Sequence, residues 1–510
     1  MRALISVYDK AGLVPFARGL AELGFEIVSS GGTAAVLEEA GIEVVHVEEV
    51  TGFPEMLGGR VKTLHPSIHA GILARRGDDG DLAALAEQGI AAFDLVCVSL
   101  YPFERAADVP DAAGDDVIEM IDVGGPAMLR AASKNHADVT PICRVEDYDA
   151  VLAELRESGT TSIETRRRLA GIAFSTTAAY DAAIARWFRR DVAYPETISP
   201  VFDRALELSY GENPHQTASY YAERGARTHL LSRVEQLQGK PLSFNNLGDL
   251  SAARLLAREL DEPACVIVKH ANPCGVAVAE TIEQAYERAL AADPVSAYGG
   301  VVVLNRPVTA TLGELLAGQF VEVLFAPGYD EQAMEALSRK TSTRVLNDME
   351  RRKLVEPGLD YRRVLGGLLV QERDWDVAER EGMEVVCGSV PDGLWAEILF
   401  AWRVVKHVTS NAIVAAKDGR TIGIGAGQMS RVDAVRIALE KAREHGHDVA
   451  GSVLASDAFF PFADGPQLAL DAGVGVLVQP GGSKRDAEVI EAVSASGAAM
   501  VFTHRRHFRH

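Results

Sequence analysis

The residues best equipped for chemistry stand together at Lys269 and His270, at the end of the apolar run Ala264-Cys265-Val266-Ile267-Val268. The β-branched run predicts a buried strand, and Asn272-Pro273 with Gly275 predict the turn that ends it. Neighbouring side chains on a regular strand face opposite ways, so the pair serves one substrate only where the strand bends into that turn. A histidine titrating near neutral pH beside a fixed ammonium combines a proton acceptor with an anion stabiliser. That is the equipment for acyl or formyl transfer to a weak amine nucleophile. Strand mouths are also where open α/β sheets bind ligands. A strand-capping lysine and a histidine satisfied in a core fit the same dipeptide.

Several other clusters invite the same question. Ser29-Ser30-Gly31-Gly32-Thr33 sets two glycines and three hydroxyls at a predicted helix start, where backbone N–H groups and the helix dipole favour phosphate; a plain N-cap explains Ser30 or Thr33 equally well. Arg60 and Lys62 lie two apart, on one face of an extended segment, so both cations can point at one anion, or form a solvated charged strand. His65 and His69 have helical zinc spacing, but Pro66 and the absence of a third ligand weigh against metal. Asp122 precedes a predicted helix, Ala127 to Lys134, and Lys134 ends it, so the two meet only through a substrate or a neighbouring loop. Gly423-Ile424-Gly425-Ala426-Gly427 follows a strand and precedes a helix, yet Gln428 stands where a dinucleotide motif needs its third glycine. Pro273-Cys274 lacks a second cysteine three residues on, which removes the zinc-deaminase reading.

The elements that must position these residues follow from periodicity. Strands at Ala3–Val7 and Glu26–Ser30 alternate with helices at Gly12–Leu23 and Thr33–Ala40, and another strand runs from Asp94 to Leu100; this alternation predicts a parallel sheet. Two prolines, Pro195 and Pro200, in a polar run after the arginine-rich helix end Arg186-Arg189-Arg190 mark a boundary between residues 1–195 and 196–510. A chain of 510 residues with 47% hydrophobic and 24% charged content is expected to be a soluble globular protein of more than one domain. The amino terminus reaches Asp9 and Lys10 too soon for a signal peptide, and no apolar run spans a bilayer, so the expected compartment is the cytoplasm. Five cysteines without a C-x-x-C pair point to reduced thiols, and a net charge of -21 argues against nucleic acid as a partner. Anionic substrates then need local basic clusters.

Ser30-Gly31-Gly32-Thr33, TGFPEMLGGRVKTLHP at Thr51–Pro66, Leu100-Tyr101-Pro102-Phe103, Ile121-Asp122-Val123-Gly124-Gly125 and Lys134-Asn135-His136 resemble the inosine monophosphate (IMP) cyclohydrolase half of the bifunctional purine-biosynthesis family. Tyr210-Gly211-Glu212-Asn213-Pro214-His215, the Lys269–Gly275 strand mouth, Ser296-Ala297-Tyr298-Gly299-Gly300, GIGAGQMSR at Gly423–Arg431, Ser456–Phe462 and Arg506–His510 resemble its aminoimidazole carboxamide ribotide (AICAR) formyltransferase half. The phrases occur in order, nearly end to end.

The resemblance implies a methylglyoxal-synthase-like parallel-sheet α/β domain followed by cytidine-deaminase-like α/β subdomains, with an internal duplication that the sequence does not display. It implies formyl transfer from 10-formyltetrahydrofolate to the 5-amine of AICAR, then dehydrative closure of formyl-AICAR to IMP, without metal or nicotinamide. Ser30, Gly31, Gly32, Thr33, Arg60 and Thr63 would bind the cyclohydrolase substrate, while Asp122, Lys134, Lys62 and Tyr101 would move protons or hold the oxyanion. In the formyltransferase, His270 would take the amine proton and Lys269 would stabilise charge. Tyr210, Asn213, His215, Asn411, Arg431, Phe459 and Arg506 would bind nucleotide, and Glu322, Phe460, Asp464 and His510 would contact folate or support the site. A homodimer with shared formyltransferase sites is implied as well. Three positions depart from the family pattern: Tyr8 replaces a serine found in some relatives, Ser99 an asparagine and Ser209 an arginine. Tyr8 and Ser99 also fit a first domain that only binds nucleotide, and Ser209 fits a nucleotide sensor without turnover.

Overall fold

A computed structural model describes residues 1–109, 114–351, 358–376 and 378–510. The chain divides into two compact units, Met1–Val201 and Phe202–His510.

In the first unit, Ala3, Leu4 and Ile5 of β1 (Arg2–Val7) are all buried, as a strand covered on both faces requires. The five-stranded sheet has the order β3 (Val45–His46), β2 (Glu26–Ser29), β1, β4 (Leu95–Ser99), β5 (Thr140–Ile142), and every pairing is parallel, as the alternation predicts. Ala3, Ile5, Val7 and Cys97 pack with Phe16 and Val151 from helices Leu13–Glu22 and Tyr148–Ser158. Leu4, Val28, Val96 and Val98 face the other way, onto Ile68, Ile72 and Met128 from helices Pro66–Leu73 and Gly124–Lys134. Two helices start earlier than their spacing suggests. One begins at Gly31, separated from β2 only by the extended Ser30, and the other at Gly124, because Asp122 Oδ1 accepts the Gly125 amide at 2.8 Å.

The second unit opens with an antiparallel hairpin, β6 (Phe202–Leu208) and β7 (Ala218–Glu223). Its main sheet draws first on β8 (Val234–Gln238), β9 (Ala264–Lys269), β10 (Asn272–Val278), β11 (Val301–Leu304), β12 (Val323–Ala326) and β13 (Arg344–Asp348). A second hairpin, β14 (Leu359–Val364) with β15 (Gly367–Glu372), intervenes. The sheet then takes β16 (Glu384–Cys387), β17 (Ile413–Lys417), β18 (Arg420–Gly425), β19 (Val453–Ser456), β20 (Val476–Gln479) and β21 (Ala499–Phe502). The spatial order, β16-β21-β20-β19-β17-β18-β10-β9-β11-β12-β13-β8, is a palindrome of two equivalent halves. Each half is an antiparallel hairpin, then an antiparallel neighbour, two parallel strands and an antiparallel edge. The halves join through β10 and β18, which run antiparallel with Ala277 opposite Arg420, so the two hairpin tips lie at opposite ends of the sheet. One face carries a core common to both halves, built on helices Phe244–Ala257 and Trp395–Lys406; the other carries a separate core for each half.

The turn after β9 differs from the sequence expectation. Asn272, Pro273 and Gly275 belong to β10, and the turn is His270-Ala271, with φ of 51° and 61°. A two-residue connection between antiparallel strands matches their twist when both central residues are left-handed, which overrides the preference for glycine or asparagine there. Pro273 is accommodated where the β9–β10 register shifts. Gly275 serves packing: a Cβ there would lie 2.0 Å from the Ala289 carbonyl oxygen of helix Ile282–Ala292. Gly423 and Gly425 do the same under helix Arg431–Glu444, at 2.0 Å from the carbonyls of Ala438 and Ala434, so the glycine run is a helix-packing device. Gly275→Ala forces backbone apart in both elements, and we expect it to destabilise the second unit by about 3 kcal/mol in urea unfolding.

Candidate active sites

In the first unit the site grows from the loops that follow the parallel strands. Ser30 is the extended N-cap of helix Gly31–Glu39 and makes no side-chain cap bond, so the backbone of Ser30 to Thr33 forms the rim beyond β2. Thr33 does not offer its side chain. It is buried, and its hydroxyl donates to the Val7 carbonyl at 3.0 Å and accepts from the Val7 amide and from Lys10 Nζ. Lys62 Nζ faces Gly31, 3.1 Å from where a Cβ would lie, and pairs with Glu55 at 2.8 Å. Arg60 does not join it. The segment is a tight turn, closed by an antiparallel bridge between Met56 and Val61, in which Arg60 is helical at φ −63°, ψ −26°. Helical backbone rotates Arg60 away from Lys62, and its guanidinium pairs instead with Glu119. His65 caps helix Pro66–Leu73 by accepting the Ser67 amide on Nδ1, which commits its imidazole to the helix start. Thr63 is buried, and its hydroxyl lies 2.7 Å from where a Cβ of Gly124 would be.

Asp122 and Tyr101 do come together. The Asp122 carboxyl accepts the amides of Gly125 and Tyr101, and burial raises its pKa above the ordinary aspartate range. The Tyr101 ring lies exposed against that of Tyr8, with centroids 5.7 Å apart. Ser99 Oγ accepts the amides of Tyr8 at 2.8 Å and Asp9 at 3.3 Å. The two unusual residues of this unit therefore touch, which separate inspection of each position does not show. Lys134 is exposed in the last turn of the 11-residue helix Gly124–Lys134, about 15 Å along its axis from the Gly124 end beside Asp122. It is not brought to the residues around Asp122 of the same chain.

In the second unit, His270 is exposed at the tip of the β9–β10 hairpin, while Lys269 Nζ donates to the carbonyls of Tyr298 and Gly299 at 3.0 and 2.9 Å. Lys269 therefore keeps one ammonium proton for a further acceptor. Asn272, which the sequence suggested only as a turn former, ties the tip to the other half of the sheet. Its Oδ1 accepts the Thr409 amide at 2.8 Å and its Nδ2 donates to the His270 carbonyl. Beyond Thr409, Asn411 accepts from Arg431 Nη2 at 2.8 Å, and Arg431 is buried on Asp457 and Ser456. Arg431 thus supports Asn411 from behind. The last residues close over the same spot: Ser410 Oγ donates to Asp457, the Arg509 amide donates to Ser410 Oγ, and the His507 amide donates to the Asp457 carbonyl. This tail carries Arg506 and His510, both exposed, with the Arg506 guanidinium over the Phe508 ring and His510 edge-on to it.

Loop 209–216 is stapled to the start of helix Phe244–Ala257. Ser209 donates to the Leu242 carbonyl, the Tyr210 carbonyl accepts the Phe244 amide, and Asn213 is held by Gln216, leaving His215 exposed. Glu322 is neutralised by Arg344 at 2.7 Å. Phe459 is 37% exposed, whereas Phe460 is 1% exposed and packs in the core of the second half, behind any surface a ligand would touch. Asp464 is exposed at its helix start, accepting the Gly465 amide. Among the described residues, no group of three or more His, Cys, Asp or Glu could hold a metal ion.

A family model described as the AICARFT/IMPCHase bienzyme matches residues 132–441, and an MGS-like domain model matches residues 12–127. The chain belongs to the AICARFT/IMPCHase bienzyme family. It is 49% identical to the bifunctional purine biosynthesis protein PurH of Roseobacter denitrificans, over 100% of this chain and 98% of that protein. It is 50% identical to PurH of Cereibacter sphaeroides at the same coverage. A solved structure described as ForH is 43% identical, covering 37% of this chain and 98% of its own; at a TM-score of 0.34 it adds nothing about the fold. As a member of the AICARFT/IMPCHase bienzyme family, the chain is a bifunctional enzyme of purine biosynthesis, with formyltransferase and cyclohydrolase activities.

The Arg431–Asp457 ion pair is buried in the second unit, so its loss should be read in stability. Arg431→Ala leaves the fully buried Asp457 without its cation, and we expect a loss of about 3–5 kcal/mol in urea unfolding of the second unit.

Proposed function

We propose that His270 and Lys269 carry the formyl transfer and that Asp122, Lys62 and Tyr101 carry the cyclisation. The observation that most supports the first assignment is the convergence of the His270 tip, the Thr409–Asn411 segment and the carboxyl-terminal tail. The 5-amine of AICAR attacks the formyl carbon of 10-formyltetrahydrofolate. His270 accepts the amine proton, the remaining Lys269 proton faces the charge on the formyl oxygen, and the C–N10 bond breaks as the proton held by His270 passes to N10 and tetrahydrofolate leaves. Asn411, backed by Arg431, and the loop carrying Tyr210, Asn213 and His215 bind the nucleotide. Phe459, Arg506, Asp464 and His510 complete the pocket, and Glu322 with Arg344 supports it. In the first unit, nucleophile and electrophile are already one molecule, so holding a near-attack geometry is the main task. The helix start at Ser30–Thr33, with Thr63, holds the substrate, Asp122 takes the carboxamide proton, and Lys62 with the Tyr101 hydroxyl supports the oxyanion and the departing hydroxyl. Arg60 exchanges Glu119 for substrate.

We assign residues 1–195 to the cyclohydrolase and 196–510 to the formyltransferase, with 10-formyltetrahydrofolate as co-substrate and no metal in either step. We further propose a cytoplasmic homodimer with shared formyltransferase sites. Supporting the dimer, Lys134 lies too far along its helix to serve Asp122 of its own chain; supporting the compartment, all five cysteines are free thiols. Among the described residues, no helix is long and apolar enough to cross a membrane.

His270→Ala should abolish tetrahydrofolate release from AICAR and 10-formyltetrahydrofolate, with EDTA present throughout, while supplied formyl-AICAR still becomes IMP. Retained transfer in that variant would refute the assignment. For Asp122 the sign follows from its raised pKa. A base must be deprotonated, so the cyclohydrolase rate should fall on acidification with a midpoint above the ordinary aspartate value of about 3.9. Asp122→Asn should remove both the rate and that limb.

A further inference from the structure

The two halves of the second unit repeat one local device. In the first half Asp249, on helix Phe244–Ala257, accepts the Ala271 amide on Oδ1 at 2.6 Å, and the His270 amide also faces its carboxylate. In the second half Glu397, on helix Trp395–Lys406, accepts the Gly419 amide on Oε2 at 2.8 Å. Asp249, Lys269, Ala271 and Gly275 recur at constant spacing as Glu397, Lys417, Gly419 and Gly423. Both turns are left-handed at two successive residues, His270 and Ala271 at 51° and 61°, Asp418 and Gly419 at 57° and 70°.

The halves differ in what the turn presents. At the second tip Lys417 is spent on Asp448 and the Ala450 carbonyl, and Asp418 replaces the histidine. Glu397 therefore shows what the carboxylate does for a turn without chemistry: it holds the second amide and fixes the loop. At the first tip the same bond is made where it matters more. His270 and Ala271 each pay about 1 kcal/mol or more for left-handed backbone, whereas Gly419 pays nothing. Without an acceptor for the Ala271 amide, the His270 backbone is free to relax, and its imidazole loses a fixed direction.

We propose that Asp249 is the positioning residue of the formyltransferase: by binding the Ala271 amide it locks the left-handed turn that aims His270. This rests on His270 being the proton carrier, an assignment that His270→Ala tests separately. Asp249 is half-buried behind the turn, and this burial raises its pKa above the ordinary carboxylate range, opposed by the Ala271 and His270 amides and by the charged or titratable Lys269 and His270 side chains.

The test compares variants of the full-length chain in steady-state formyl transfer, each checked for folding by circular dichroism. Asp249→Ala should lower kcat roughly 100-fold, the scale of a misplaced catalytic group, and leave KM for AICAR within about threefold, because a displaced base impairs proton removal more than nucleotide binding. Asp249→Asn keeps an acceptor for the amide and should recover at least tenfold of that loss. Glu397→Ala, which loosens the matching turn, should leave transfer within about twofold. Should Asp249→Ala fold poorly, adding Ala271→Gly supplies a residue at ease in the left-handed region; folding should return while kcat stays at least tenfold low, since glycine permits the turn without fixing it. An unchanged kcat in Asp249→Ala, a loss divided equally between kcat and KM, an equal loss in Glu397→Ala, or full recovery of rate with Ala271→Gly would each overturn the proposal. Loss of transfer in Asp249→Ala while His270→Ala remains active would instead sink the His270 assignment.

Discussion

A left-handed turn built from residues that resist it is the constraint on which the second unit depends. Two strands joined by two residues need that handedness, and here the residues are histidine and alanine. The turn survives because it is held on several sides. Asp249 binds its second amide, Asn272 binds the His270 carbonyl and the Thr409 amide, and Lys269 anchors the preceding strand on Tyr298 and Gly299. Each contact comes from a different stretch of chain. A histidine at such a tip is removed from the strict alternation of strand side chains, so it can share a substrate with the lysine beside it.

The duplicated sheet gives its two hairpin tips different surroundings. Joining the halves antiparallel at β10 and β18 sends the tips to opposite ends, and the first tip meets the connection that leads into the other half. For His270 that connection is Thr409–Asn411, reinforced by the buried Arg431–Asp457 pair and by the carboxyl-terminal tail. At the second tip the lysine is consumed by acceptors from its own half. The first unit solves a different problem with simpler means, a helix start and loops beyond a parallel sheet. There the contact of Ser99 with the Tyr8 and Asp9 amides shows that its unusual residues form one local arrangement.

What the sequence disclosed follows the same physics. The parallel sheet of the first unit was legible because its strands are buried on both faces and carry unbroken apolar runs. The Lys269-His270 pair was legible because it ends such a run. The turn itself was misplaced, since His270-Ala271 has no local turn chemistry and is imposed by pairing of β9 with β10, while Pro273 and Gly275 mimic a turn for reasons of bulge and helix packing. Arg60 was misread because an isolated bridge turns its segment back on itself. The duplication stayed hidden because, around the turn, little beyond a carboxylate, a lysine and one glycine recurs at fixed spacing, and Asp249 has no motif of its own. Its partner amide lies a whole helix and strand away.

One chain carries both activities. The most direct measurement incubates the purified full-length protein with AICAR and 10-formyltetrahydrofolate and follows tetrahydrofolate and IMP separately. The account predicts that both rise in equal amounts after a brief lag in IMP. Tetrahydrofolate release with formyl-AICAR accumulating, or no release at all, would contradict it.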